Sequence, residues 1–191
     1  TMVSDMAKID RKKAKTINLG LFYGMGKGKL SSELGLSPGQ AEDLFEKYHS
    51  RVPFVKEMIE RTMKKASDVG HVRTLLGRKC RFDMWEPSRY GVHKPLPRDQ
   101  AEREHGKQIR RAFTYKALNK IIQGSAADMT KQAMVNLYDE GIIPHIQVHD
   151  ELDCSFADEK EKDKIMDIMR ACVELEVPVK LDCEVGPSWG E

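Results

Sequence analysis

The stretch Ile142-Ile143-Pro144-His145-Ile146-Gln147-Val148-His149-Asp150-Glu151-Leu152-Asp153-Cys154-Ser155-Phe156 decides how the chain is read. Its two apolar runs have strand length and composition and are bounded by turn residues. Two strands are predicted, Ile142–Val148 and Leu152–Phe156, flanking a His149-Asp150-Glu151 turn. Such a turn presents adjacent carboxylates at one edge of a sheet, an arrangement that is costly unless a cation sits there. Hard oxygen donors suit Mg²⁺, which commonly takes one or two carboxylates together with phosphate oxygens and water. Taken alone, the same residues also fit a turn with solvated acids.

Away from this stretch the period changes. Downstream, Ile165, Ile168, Met169, Cys172 and Leu175 recur at helical spacing, and Val177 to Val185 reads as a final strand. Upstream, a helix is predicted from about Asp10 to Tyr23, with Asp10 as N-cap and Gly24, Gly26 and Gly28 ending it. These glycines begin like a GxGxxG motif, but Lys29 holds the sixth position and no strand precedes them, so they read as a helix exit. Ser37-Pro38-Gly39-Gln40 opens a second helix that reaches about Ser50. Pro53 opens a third, ending before Gly70, and His71 to Phe82 alternates around Leu76-Gly77 as a short hairpin. Asp83 to Pro97, rich in proline, reads as a loop. Arg98 to Glu140 reads as a long helical stretch interrupted near Gly106 and Gly124. The fold class is α+β, a helical region followed by strand, turn, strand, helix and strand.

The 191 residues suffice for one ordinary domain or two small ones. Lys and Arg number 32 against 30 Asp and Glu, so the net charge of +2 names no partner. With 40% hydrophobic and 32% charged residues the composition fits a folded globular protein rather than a disordered one. No apolar run approaches the roughly 20 residues of a membrane helix, so no membrane partner is expected. No secretory signal is evident, and Cys80, Cys154, Cys172 and Cys183 form no CxxC pair. They are expected to be reduced thiols of a cytoplasmic protein. Thr1 precedes Met2, which suggests a piece of something longer.

The balanced total hides local asymmetry. Seven cations (Lys8, Arg11, Lys12, Lys13, Lys15, Lys27, Lys29) stand against Asp10 alone between Lys8 and Lys29. Gly70 to Arg81 carries Arg73, Arg78, Lys79 and Arg81 and no acid, whereas Asp150 to Asp163 is strongly acidic. Basic and acidic segments together suit a site where a polyanion meets metal ions, or else solvated helix faces. In the first helix, Arg11, Lys15, Leu19 and Tyr23 follow at i+4 and spread across one broad face, leaving Ala14, Ile17 and Leu21 to pack inward. Two cations a turn apart can hold adjacent phosphates of a triphosphate, and an aromatic ring further along can stack on a base. An amphipathic helix with solvated lysines has the same spacing.

Arg11-Lys-Lys-Ala-Lys15-Thr-Ile-Asn18-Leu19-Gly20-Leu-Phe-Tyr23-Gly24 resembles motif B of the family A DNA polymerases. Gln147-Val148-His149-Asp150-Glu151-Leu152 resembles motif C of the same family, and Asn119-Lys-Ile-Ile-Gln123-Gly124-Ser-Ala-Ala-Asp128 resembles the segment that precedes its last palm strands. All three occur in family order. The resemblance implies helical fingers followed by part of an antiparallel palm sheet with packed helices. Residues 1–82 would be fingers helices and hairpin, 83–113 a loop and connecting helix, and 114–191 the C-terminal part of the palm. It further implies template-directed transfer of a nucleotide from a dNTP to a primer 3′ hydroxyl by a two-metal Mg²⁺ mechanism.

The roles it implies fall residue by residue. Arg11 and Lys15 hold the triphosphate, with Lys15 also catalytic, while Leu19 and Tyr23 line the nucleotide pocket. Asp150 and Glu151 are catalytic metal ligands, Glu151 the less critical. Asn119, Gln123, Gln147 and His149 contact primer-template DNA, and Arg73, Thr74 and Arg78, together with Lys79, contact phosphates; Arg110, Arg111 and Lys116 fit phosphate contacts or a charged helix face equally. The family takes a second metal-binding aspartate from an upstream motif A, and nothing here matches it. That motif, the thumb and any exonuclease are expected on an upstream polypeptide, without which the chain is expected to be inactive. A second departure is Leu19, where most relatives carry Phe or Tyr facing the nucleotide sugar; the leucine and its context look more like a phage replicase, placing the chain in host cytoplasm. The competing readings are a non-catalytic DNA-binding or assembly subunit of a split polymerase, and a metal-dependent phosphohydrolase using Asp150, Glu151 and His149.

Overall fold

The computed structural model describes residues 11–89 and 91–188. The predicted N-cap Asp10 lies outside them. The chain divides into two compact bodies, Thr1–Arg73 with Gly77–Ile121, and Thr74–Leu76 with Ile122–Glu191.

The first body opens with α1 (Arg11–Phe22), α2 (Lys27–Leu34), α3 (Pro38–Arg51) and α4 (Pro53–Val69). The α1 periodicity is realised: Ala14, Ile17 and Leu21 are buried with Leu30, Leu44, Tyr48 and Val55, while Lys12, Lys15, Thr16, Asn18 and Leu19 face solvent. Gly24, at φ 87°, ends α1 in a Schellman turn. Its N–H donates to Leu21 O at 3.1 Å, and the Met25 N–H reaches back to Gly20 O at 2.8 Å. At α3, Ser37 and Gln40 form the expected reciprocal capping box with Pro38 behind the cap.

The hairpin pairs β1 (His71–Arg73) with β2 (Lys79–Arg81), Val72 opposite Cys80. The stretch Asp83–Pro97 is not wholly a loop. Met84–Pro87 (β3) pairs antiparallel with Leu96–Pro97 (β4) and with Ile109–Arg111 (β5), in the order β4-β3-β5. Proline lacks a donor, but at the ends of β3 and β4 it costs few ladder bonds, which is why a proline-rich stretch still pairs. Between β4 and β5 runs α5 (Arg98–His105), which Gly106 ends at φ 69°; the helical stretch expected from Arg98 to Glu140 does not resume there but gives way to β5.

One guanidinium knits this body together. Arg111 donates through Nε to Ser67 O at 3.2 Å and through Nη1 to Phe82 O at 2.9 Å, and lies 4.6 Å from the centroid of Trp85. Gly70, the α4 cap at φ 75°, leaves room for it: a Cβ there would sit 2.6 Å from Arg111 Cζ. Gly70→Ala therefore combines left-handed strain with loss of charge-assisted bonds, and should cost about 2–4 kcal/mol. Urea unfolding measures it, and an unchanged midpoint would remove Arg111 from the load.

A 3₁₀ turn (Thr114–Lys116) leads into α6 (Ala117–Asp139), which Gly124 does not interrupt. A single glycine costs a helix only about 1 kcal/mol, too little to break 23 residues of it. The second body holds most of α6, the hairpin of β6 (Ile146–Val148) and β7 (Glu151–Asp153), and α7 (Glu159–Arg170). Its core is Leu137, Ile142 and Ile165, with Leu152, Cys154, Phe156, Ile168 and Met169 against them. Asp158 caps α7 by accepting from the Glu161 N–H at 2.9 Å, so the acidic run of 158–163 begins a helix. Cys172 and Leu175, expected on its apolar face, fall beyond that helix. The predicted strand Val177–Val185 is instead irregular backbone that pairs with no described strand.

Candidate functional site

The second body's hairpin is tighter than the sequence suggests. Val148 pairs directly with Glu151, leaving His149 and Asp150 as a two-residue loop, and Glu151 is the first residue of β7 rather than part of the turn. His149 sits at φ 55°, a left-handed conformation that a first loop residue adopts in primed turns and that glycine fills most easily. The Gln147 side-chain amide donates to His149 O at 3.1 Å and braces this turn. The exposed carboxylates of Asp150 and Glu151 are thereby presented on a rigid corner.

Both carboxylates line a cleft of about 670 Å³ within the second body. It is lined by the apolar Met129, Ile146, Leu152, Phe156 and Met169 and by Asp153, Asp182 and Glu184, with Lys162 and Lys180 as counter-charges. Sequence reasoning missed Asp153 as a lining residue. The signal was present, since Glu151 and Asp153 are two apart on a strand and share a face. Burial, aided by Asp153, pushes the Cys154 thiol up, and burial does the same at Cys172; both stay protonated. All four cysteines are free.

Two adjacent carboxylates are a donor set suited to Mg²⁺, but not a complete one. Among the described residues no group of three or more His, Cys, Asp or Glu is gathered as a metal site. The fit is to an ion that draws its remaining ligands from phosphate, water or another polypeptide.

In the first body, α1 carries Lys15 and Leu19 exposed (Leu19 at 44%), and Tyr23, in the turn just after the helix, is half-buried. Tyr23 meets Phe22 edge to face, ring centroids 5.8 Å apart. Arg11 begins the helix, but its side chain lies outside the described residues. On α6, Asn119 is half-buried and Gln123 exposed one turn on. Arg73 uses its guanidinium on Gly77 O at 2.6 Å, closing the first hairpin. Arg78 and Lys79 are exposed, whereas Thr74 is buried at 6% exposure, at odds with a surface phosphate contact. Thus α1 groups one set of candidates, and the β6–β7 hairpin groups Gln147, His149, Asp150 and Glu151.

The DNA-directed DNA polymerase of Pseudomonas phage M6 is 37% identical over 225 aligned residues, which cover 99% of this chain and 30% of that protein. The thermostable DNA polymerase I of Thermus filiformis is 36% identical over 98% of this chain and 22% of its own length. A solved structure described as the POL domain of Pol1 from M. smegmatis in complex with DNA primer-template and dNTP is similar with a TM-score of 0.66 and 27% identity, over 93% of this chain and 31% of that one. The chain spans less than a third of the length of each of these relatives. Among the described residues no helix is long and apolar enough to cross a membrane. The family model for DNA polymerase family A matches residues 1–191, so the lysine-bearing α1 and the carboxylate hairpin stand in one continuous match, and the chain belongs to that family.

Proposed function

We propose that the chain is the fingers and C-terminal palm portion of a DNA-directed DNA polymerase, adding nucleotides from dNTP to a primer 3′ hydroxyl. The observation that carries this reading is the braced two-residue turn that sets Asp150 and Glu151 together in the lining of an acidic cleft. Asp150 and Glu151 would hold the metal. Bound there, Mg²⁺ supplies the charge that eases ionisation of the 3′ hydroxyl and steadies the departing pyrophosphate, a two-metal arrangement.

The protein's own groups do the rest. Lys15 and Arg11, one turn apart on α1, offer a point charge and a fork to the triphosphate. Leu19 on that helix and Tyr23 in the turn just after it form the wall against the sugar and base. Gln147 keeps the turn closed so that His149 faces the primer end, and Asn119 and Gln123 offer amides to the minor groove of the primer-template. Arg73, Arg78 and Lys79 supply phosphate contacts that carry affinity without sequence preference.

A second metal-binding aspartate, with the thumb, is assigned to an upstream polypeptide. Alone, the chain should bind Mg²⁺ weakly and extend no primer, because the open pair of Asp150 and Glu151 lacks half its cage. Primer extension with and without a polypeptide bearing that aspartate decides the matter. Extension only in the mixture is the expected result. Robust synthesis by the chain alone would overturn the division of the site, and no synthesis by the mixture would favour a non-catalytic DNA-binding subunit.

Leu19 sets a further expectation. A tyrosine in its place can offer a hydroxyl where a dideoxynucleotide lacks one, whereas leucine leaves the polar groups around the sugar unpaired. Such groups typically cost about 1–3 kcal/mol in a dry site. The assembled enzyme should reject dideoxynucleotides, and Leu19→Tyr should relax that rejection roughly tenfold or more. The ratio of kcat/KM for deoxy and dideoxy substrates reports it, and an unchanged ratio would mean that Leu19 does not face the sugar.

A further inference from the structure

Gly20 stands in the last turn of α1, and its backbone is helical like that of its neighbours. Alanine would suit that conformation and favour the helix. What alanine lacks is room: a Cβ at Gly20 would lie 2.1 Å from Met25 Cε and 3.2 Å from its Sδ. The contact follows from the way α1 ends. Gly24 turns left-handed, and the Met25 N–H returns to Gly20 O, so residue 25 is folded back over residue 20. In such turns two apolar side chains ordinarily meet at these positions. Here one of them is absent, and the thioether lies on bare helix backbone, a gap that an unbranched, adaptable side chain fills well. Met25 also packs against the buried cluster of Ala14, Ile17, Leu21 and Leu30, and so ties the turn to the core of its body. Tyr23 sits inside the loop that this contact closes, its N–H donating to Leu19 O at 2.9 Å.

We propose that Met25 is a positioning residue for nucleotide selection: seated on Gly20, it fixes the exit of α1 and thereby holds Tyr23 in place beside Leu19. The proposal rests on the reading of Leu19 and Tyr23 as the wall of the nucleotide pocket, and Met25 acts through Tyr23 rather than on the substrate. The atoms that crowd Gly20 belong to the far end of a flexible side chain. Gly20→Ala therefore unseats Met25 without forcing the helix apart, which separates loss of the seat from loss of the fold.

Single-turnover kinetics of the assembled polymerase with matched and mismatched dNTP, beside thermal unfolding of the full chain, tests it. Gly20→Ala should leave the melting temperature unchanged or raised, because alanine is the better helix former. It should nonetheless raise the dNTP concentration for half-maximal rate by about fivefold or more while the maximal rate stays within about twofold. Rejection of the mismatched dNTP should weaken by about the same factor, since a wall that shifts discriminates less. Met25→Ala should act alike, and the double variant should lose no more than the more affected single one, because both substitutions remove one contact. In a Tyr23→Ala background Gly20→Ala should add nothing, as no ring remains to be held. Parental kinetics in Gly20→Ala, additive losses in the double variant, or an undiminished loss on the Tyr23→Ala background would overturn the seat and leave the nucleotide wall standing. A lowered melting temperature in Gly20→Ala with a matching fall in maximal rate would reduce the pair to packing and overturn it as well. Tyr23→Ala with parental affinity and parental rejection would sink the wall and the seat together.

Discussion

Asp150→Asn, in the chain assembled with the polypeptide proposed to carry the second aspartate, is expected to lower kcat for nucleotide addition by about 10³-fold, the several kcal/mol that a correctly placed metal supplies to phosphoryl transfer. The substitution changes little else. Asparagine keeps the shape of aspartate and is at ease in tight turns. Among the described residues the Asp150 carboxylate makes no hydrogen bond that the amide would lose, and the brace from Gln147 falls on the neighbouring carbonyl of His149. The hairpin register, Val148 opposite Glu151, should persist. What disappears is one of two negative charges at the corner, and with it the preference for a divalent cation. Single-turnover kinetics across a Mg²⁺ titration measures the loss, and Glu151→Gln should lose less. A kcat within tenfold of the parent value would show that the metal is held elsewhere.

Lys15→Ala ranks second, at about 2–4 kcal/mol of transition-state stabilisation, or roughly 30- to 1000-fold in rate. Lys15 is exposed on α1, one residue after the buried Ala14 and two before the buried Ile17. It pairs with no carboxylate among the described residues, so the ammonium is available for developing phosphate charge and the helix loses no packing with it. Arg11→Ala should act instead mainly on nucleotide affinity, because an arginine fork binds ground-state phosphates well. Rapid-quench kinetics with a dNTP titration separates the two. If both variants kept parental rates and affinities, α1 would not hold the triphosphate.

Much of this was legible in the chain itself, for identifiable reasons. Ser37-Pro38 and Gly70 act through local backbone chemistry, so the helix ends they mark could be read without knowing any partner. Ala14, Ile17 and Leu21 declared the inward face of α1 by period alone. The three-stranded sheet was hidden because β3, β4 and β5 are four residues or fewer and are joined across α5, and their pairing is a long-range fact that no local pattern records. The backbone of 177–185 was misread as a strand because β-branched residues signal a propensity, and a strand also needs a neighbour. At the site, the residue types were visible while the brace from Gln147 and the burial of Thr74 were not, since both depend on side-chain direction.

The two left-handed non-glycine positions bear on any attempt to toughen this protein. Phe113 and His149 are both ring-bearing and both exposed. Mutagenesis scored only by melting temperature would be steered to His149, where glycine relieves backbone strain at an exposed residue, whereas at Phe113 the ring's contacts with Tyr115 and Lys116 oppose the gain. A heat-resistant descendant selected that way would be altered at the turn beside Asp150, where the metal is proposed to sit. Screening by heat and by activity would then pull in opposite directions at His149, while at Gly70 the two screens would agree.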